Sequence, residues 1–183
     1  MTPESYEELV ESYLTHIKNY MKSSGGLFPH VIIFAEHKNP EEDVPVNALI
    51  HIAIPSEHME TDGDKDDLVD IILPKIFTKV KEEFIPHAIG WTSEAWMRTA
   101  GADFDVDKED YKTLPIRKEV LFICIETEND SKTHVYEIKR DGHQINADGE
   151  LVDTIELTEM PEMKDVDKTQ GRLSGLYKKL NLC

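Results

Sequence analysis

The 183-residue chain carries 37 acidic against 20 basic side chains, a formal net charge of −17, with 39% hydrophobic and 31% charged residues. That balance fits one globular domain with its own core and excludes a disordered chain. The charge disfavours direct contact with nucleic-acid phosphate, and no apolar run approaches the ~18 residues of a membrane helix. The acidic opening Met1-Thr2-Pro3-Glu4 is unlike a signal peptide, so the chain is expected in the cytoplasm, of the host cell if phage-encoded. Cys124 lies in an apolar run and reads as a core residue; with Cys183 at the tail it makes no disulfide framework.

Thr2 to Lys22 reads as the first main helix. Thr2 suits the cap, Pro3 the first turn, and Tyr6, Leu9, Val10, Tyr13, Leu14, Ile17, Tyr20 and Met21 form one apolar stripe, with Gly25 and Gly26 as the stop. The stripe tyrosines read as core. His30 to His37 and Asn47 to Pro55 are strand candidates joined by a short polar turn, hence an antiparallel hairpin. Ser56 to Asp67 reads as an acidic loop. A second helix is expected from about Asp66 to Phe84, kinked or split by Pro74 and ended by Pro86.

His87 to Arg98 reads as a third strand, followed by an acidic excursion from Thr99 to Pro115. Arg117 to Glu128 and Lys132 to Arg140 form the strongest hairpin pattern. Asp141-Gly142 reads as a turn, Gln144 to Ala147 as a short strand, and Asp148-Gly149 as a turn before a strand from Leu151 to Leu157. From about residue 158 the chain reads as a loosely packed end with a short helix bearing Leu173, Leu176, Tyr177 and Leu180. The order predicts a single α+β domain over 1–183: a mainly antiparallel sheet of about five to seven strands with both main helices on one face.

Common chemical patterns fail at named positions. Asp62, Asp64 and Asp66 resemble the start of a calcium loop, but Asp67 stands at its glycine and Leu73 at its glutamate; Asp103, Asp105 and Asp107 fail likewise at Lys108 and Leu114. The histidines show no metal-ligand spacing, since His30 and His37, and His51 and His58, fall on opposite faces of an ideal strand. No phosphate-binding loop or nucleophile elbow occurs, and no cofactor is implied.

Two places stand out. Glu137 and Lys139, with Glu126 or Glu128 across the hairpin, have the residue types of a metal-dependent nuclease core; the same pair suits the wet face of any strand. Glu94, Trp96 and Arg98 share a strand face, and a half-buried Glu94 would need a cation: Arg98, Arg117 or Lys118. The bland reading is a cross-strand ion pair covered by Trp96. The functional reading is a site in which Glu94, Trp96, Arg98 and Arg117 face a ligand or partner.

The string Ser93-Glu94-Ala95-Trp96-Met97, with Arg117-Lys118-Glu119-Val120-Leu121 some twenty residues on, resembles uncharacterised proteins of bacteria and their phages. The resemblance covers about the middle half of the chain; it implies a recurring strand-borne Glu and Trp and brings no activity or cofactor. Three functional readings follow: a non-enzymatic binding or accessory protein acting on a protein partner or on itself; an acidic mimic of nucleic acid that occupies a basic enzyme; and a metal-dependent hydrolase built on Glu137 and Lys139.

Overall fold

The computed structural model describes residues 1–38, 46–98, 113–160 and 175–181, with backbone alone for Asp62, Ile116, Arg117 and Asn181. The elements are α1 (Pro3–Ser24), β1 (His30–His37), β2 (Asn47–Ala53), a short 3-10 turn (Ser56–Met59), α2 (Asp62–Asp67), a π turn (Leu68–Ile72), α3 (Leu73–Glu83), β3 (Phe84–Arg98), β4 (Ile116–Glu126), β5 (Ser131–Ile145), β6 (Leu151–Glu159) and α4 (Leu176–Asn181). The strands form one antiparallel sheet in the order β2-β1-β3-β4-β5-β6. The fold is α+β.

The main helices pack on opposite faces of this sheet, not on one. The cause lies in β1, whose Val31 to Ala35 are apolar at every position and wholly buried. Val31, Ile33 and Ala35 pack with Leu68, Leu73 and Phe77 of the α2–α3 helix. Ile32 and Phe34 point the other way, into Tyr13, Ile17 and Met21 of α1. A strand apolar on both faces needs cover on both, and alternation alone does not reveal how many helices supply it. Both cores extend across the sheet, with Leu121, Ile123, Ile125, Tyr136 and Ile138 on the α1 side.

The second helix starts earlier than expected. Thr61 accepts from the Asp64 backbone N–H at 3.1 Å, while Asp64 accepts the Thr61 N–H at 2.9 Å. This reciprocal cap converts the end of the expected acidic loop into the start of α2 and uses Asp64 for it. Of the two expected effects of Pro74, a kink or a split, the split does not occur: a π turn precedes it, in which Leu73 N–H reaches Leu68 O, and Pro74 falls in the first turn of α3, where it is tolerated. The helix ends at Glu83. Pro86 belongs to β3, at an irregularity where Phe34 pairs with Ala88 and Ala35 with Pro86; a bulge is one of the few strand sites proline tolerates.

Asp141-Gly142 is likewise no chain reversal. β5 runs through it as a bulge, with Arg140 opposite Ile155 and His143 opposite Asp153, and Gly142 supplies a φ of +75°. The separate short strand expected at Gln144 is the end of β5. The turn at Asp148-Gly149 connects β5 to β6 as expected. α4 is not loosely packed: Leu176, Tyr177 and Leu180 are buried in the α3-side core. Leu173, Cys183, most of the 99–115 excursion and its Asp103, Asp105 and Asp107 lie outside the described residues. No helix of the described residues is long and apolar enough to cross a membrane.

Candidate functional site

Glu94 lies on the α1 face of β3, where its register neighbour on β4 is Leu121. Its cation is Arg140 of β5, none of the three expected. Arg140 Nη2 donates to Glu94 Oε2 at 2.8 Å and to Glu119 Oε1 at 2.7 Å; Nε donates to Glu119 Oε2 at 3.0 Å, and Nη1 to Asp153 Oδ2 at 3.3 Å. Nη1 also donates to Gly25 O at 2.6 Å, and the other Glu94 oxygen accepts the Leu27 N–H at 2.6 Å. One guanidinium fork therefore ties β3, β4, β5 and β6 to the chain leaving α1, a geometry lysine cannot supply. Burial raises the Glu94 pKa, against the Leu27 hydrogen bond and the Arg140 charge, which lower it. The Glu119 hydrogen bond holds Arg140 firmly protonated.

The remaining expected residues are dispersed. Trp96 does not cover the ion pair: it is 62% exposed, opposite Glu119. Arg98 donates to Leu114 O at the β3–β4 connection. Lys118 is paired with Glu137 at 3.0 Å. The Arg117 side chain lies outside the described ones. Trp91 and Ser93 are on the other face, joined by a 3.2 Å bond from the indole N–H.

Glu126 and Glu137 are not brought together. Glu126 is buried and accepts the Gly175 and Tyr177 N–H groups at 2.9 and 3.0 Å, which fastens the start of α4 to β4. It pairs in register with Ser131, and Glu137 with Val120. The step from Ser131 to Glu137 along β5 is about 20 Å at ~3.3 Å per residue. Two carboxylates so far apart cannot share one cation. Glu128 sits exposed beyond the strand end, and Lys139 is exposed opposite Glu156. Among the described residues no three His, Cys, Asp or Glu side chains gather in a metal-holding group.

A different cluster emerges on the α1 face. His30 of β1 and His51 of β2 are diagonal neighbours, since His30 pairs with Ala53 and His51 with Ile32. Their rings stack with centroids 5.8 Å apart, and His16 of α1 meets His51 edge-on at 6.1 Å. His30 Nδ1 lies 3.1 Å from Phe28 O and Nε2 2.9 Å from the Tyr13 hydroxyl, which in turn contacts Thr92. A neutral ring donating from Nδ1 and accepting at Nε2 satisfies both partners. Burial lowers the pKa of His30 and His51 and raises that of Tyr13. Above these rings opens a pocket of about 210 Å³ that Ile17, Tyr20, Leu27 and Phe28 help to wall.

Sequence reasoning missed this cluster because it compared histidines along one strand. The face shared by His30 and His51 follows from the β1–β2 register, in which His30 stands opposite Ala53 and His51 opposite Ile32. Compared with protein-family models, curated proteins and solved structures, the chain matches none.

Proposed function

We propose that this is a binding or accessory protein that acts by engaging a basic protein partner, and that the outer face of α1 makes the contact. One observation carries the reading. Glu4, Glu7, Glu8 and Glu11 are all exposed on the first half of α1, and none forms an ion pair among the described residues. The half-buried carboxylates Glu94, Glu119 and Glu137 are by contrast committed to internal cations, and Glu126 to a helix start. These four free charges therefore stand together where a partner can reach them, at helical spacing on one surface.

The nucleic-acid mimic is the second reading. It calls for carboxylates spaced along a single face like phosphates. The exposed Asp67 and Asp70 sit on the α2–α3 helix, across the sheet from α1, so the described acids favour local docking over a continuous track. The setting, by resemblance of the Ser93 to Met97 string, is a bacterial cytoplasm or a phage-infected one.

The test is affinity capture from a bacterial extract at low and at high salt, with the intact chain and with Glu4→Gln/Glu7→Gln/Glu8→Gln/Glu11→Gln. A basic protein held at low salt by the intact chain alone supports the reading. Equal capture by both chains refutes it.

A further inference from the structure

The three-histidine pocket stands apart from the acidic α1 surface and from the Arg140 network. Its floor is rigid: His30 is held at both ring nitrogens by Phe28 O and Tyr13, and Tyr13 is fixed in turn against Thr92, both of them buried. His16 and His51 differ. Both line the pocket, both are exposed, and neither ring makes a hydrogen bond to another of the described residues. The rest of the lining is mostly carbon, and its rim carries Tyr20 and Phe28, which are 44% and 73% exposed. Exposed aromatics beside ring nitrogens that are open to solvent make a wall suited to an amphipathic ligand.

The charges facing the pocket point to the sign of that ligand. α1 presents His16 with Tyr13 and Tyr20, β1 presents His30, β2 presents His51, and β3 presents the uncharged Thr92. Glu94, two residues beyond Thr92, is turned to Leu27 N–H and Arg140. No carboxylate is among the described residues that line the pocket, and the charges that act on His30 and His51 are those of other histidines. In a chain of net charge −17 this is a wall of three histidines with no acid among its described lining residues. Among those described lining residues only His16 and His51 offer ring nitrogens outside a hydrogen bond, too few for a resident transition-metal site.

We propose that this pocket binds a small aromatic carboxylate, its ring against Tyr20 and Phe28 and its carboxylate between the His16 and His51 imidazoles. A volume of about 210 Å³ suits one ring system with a short acid arm. The carboxylate accepts best from imidazolium, so binding draws protons onto His16 and His51 and tightens as pH falls.

The experiment is titration of the intact chain with phenylacetate in ~0.15 M salt, where long-range repulsion from the acidic surface is screened beyond about 8 Å. Binding is read from the His16 and His51 ring proton signals at pH 5.5 and 7.5. The expected result is saturable shifts at both rings, with an affinity about tenfold tighter at pH 5.5, the effect of one pKa unit gained on binding. His51→Gln and His16→Gln, at exposed positions without hydrogen bonds, should abolish most of that pH dependence while the urea midpoint confirms folding. Phenylacetamide and acetate should each bind far more weakly. Equal binding of phenylacetamide, equal binding of acetate, pH-independent affinity, or no shift at either ring overturns the proposal.

Discussion

Arg140 Nη2 lies 2.8 Å from Glu94 Oε2, joining β5 to β3 across the intervening strand β4. The same guanidinium reaches Glu119 on β4, Asp153 on β6 and the carbonyl of Gly25 at the end of α1. Glu94, one of the four residues read in sequence as facing either a ligand or a cross-strand cation, is thus held in a cross-strand ion pair.

Removing that anchor should be costly. Arg140→Ala leaves Glu94 and Glu119 half-buried without their cation, and a loss of about 2 kcal/mol is expected after discounting a fully buried pair for partial exposure. Arg140→Lys should recover only part, because an ammonium cannot span the same partners. Urea denaturation midpoints measure both.

The same pair sets a pH effect. Burial raises the folded Glu94 pKa above its ordinary 4.5, and loss of Arg140 raises it further. A carboxyl with a raised folded pKa favours the folded state when protonated, and that stability is lost as pH rises through the folded value. The gap between wild type and Arg140→Ala should therefore narrow as pH falls from 7 toward 4.5, as paired urea curves would show.

The histidines act in the opposite sense. His30 and His51 have folded pKa values below the ordinary 6.5, chiefly through burial. The unfolded chain then takes up protons first, so stability is complete above pH 6.5 and falls as pH drops toward the folded values. Wild type should lose its advantage over His51→Gln between pH 7 and 5. The comparison cancels the relief of acidic repulsion, which both chains share.

Gly90 faces α1 beside Ile32, its register partner on β1, and a Cβ there would stand 2.5 Å from Ile32 Cγ2. Gly90→Ala must push Ile32 out of a fully buried site and should cost about 1–3 kcal/mol. Thermal unfolding of Gly90→Ala, of Ile32→Ala, which removes the crowding Cγ2, and of the double variant reads it, the double variant costing less than the sum of the two single ones.

Much of this architecture was legible beforehand, and its gaps have physical causes. α1 and the β4–β5 hairpin carry strong periodic or turn signals, and both stand where expected, within a residue or two at most ends. The start of α2 was written in Thr61 and Asp64 but masked by the acidic composition around them. Pro86 and Asp141-Gly142 are turn signals that the sheet absorbs as irregularities, because the flanking residues pair on both sides of each. Glu94 was recognised as half-buried, yet its partner lies 46 residues away on a strand whose order in the sheet no local pattern reveals. The His16–His30–His51 cluster needs α1, β1 and β2 placed in space before it exists.

Salt-dependent capture tests most directly the proposed engagement of a basic protein by the α1 carboxylates, which form no ion pair among the described residues. The intact chain should retain a basic partner at about 0.05 M salt and release it at about 0.5 M, where the Debye length falls well below 10 Å. The four-glutamine chain, folded by the same urea criterion, should retain none. Retention that ignores both the salt and the four substitutions would contradict the claim.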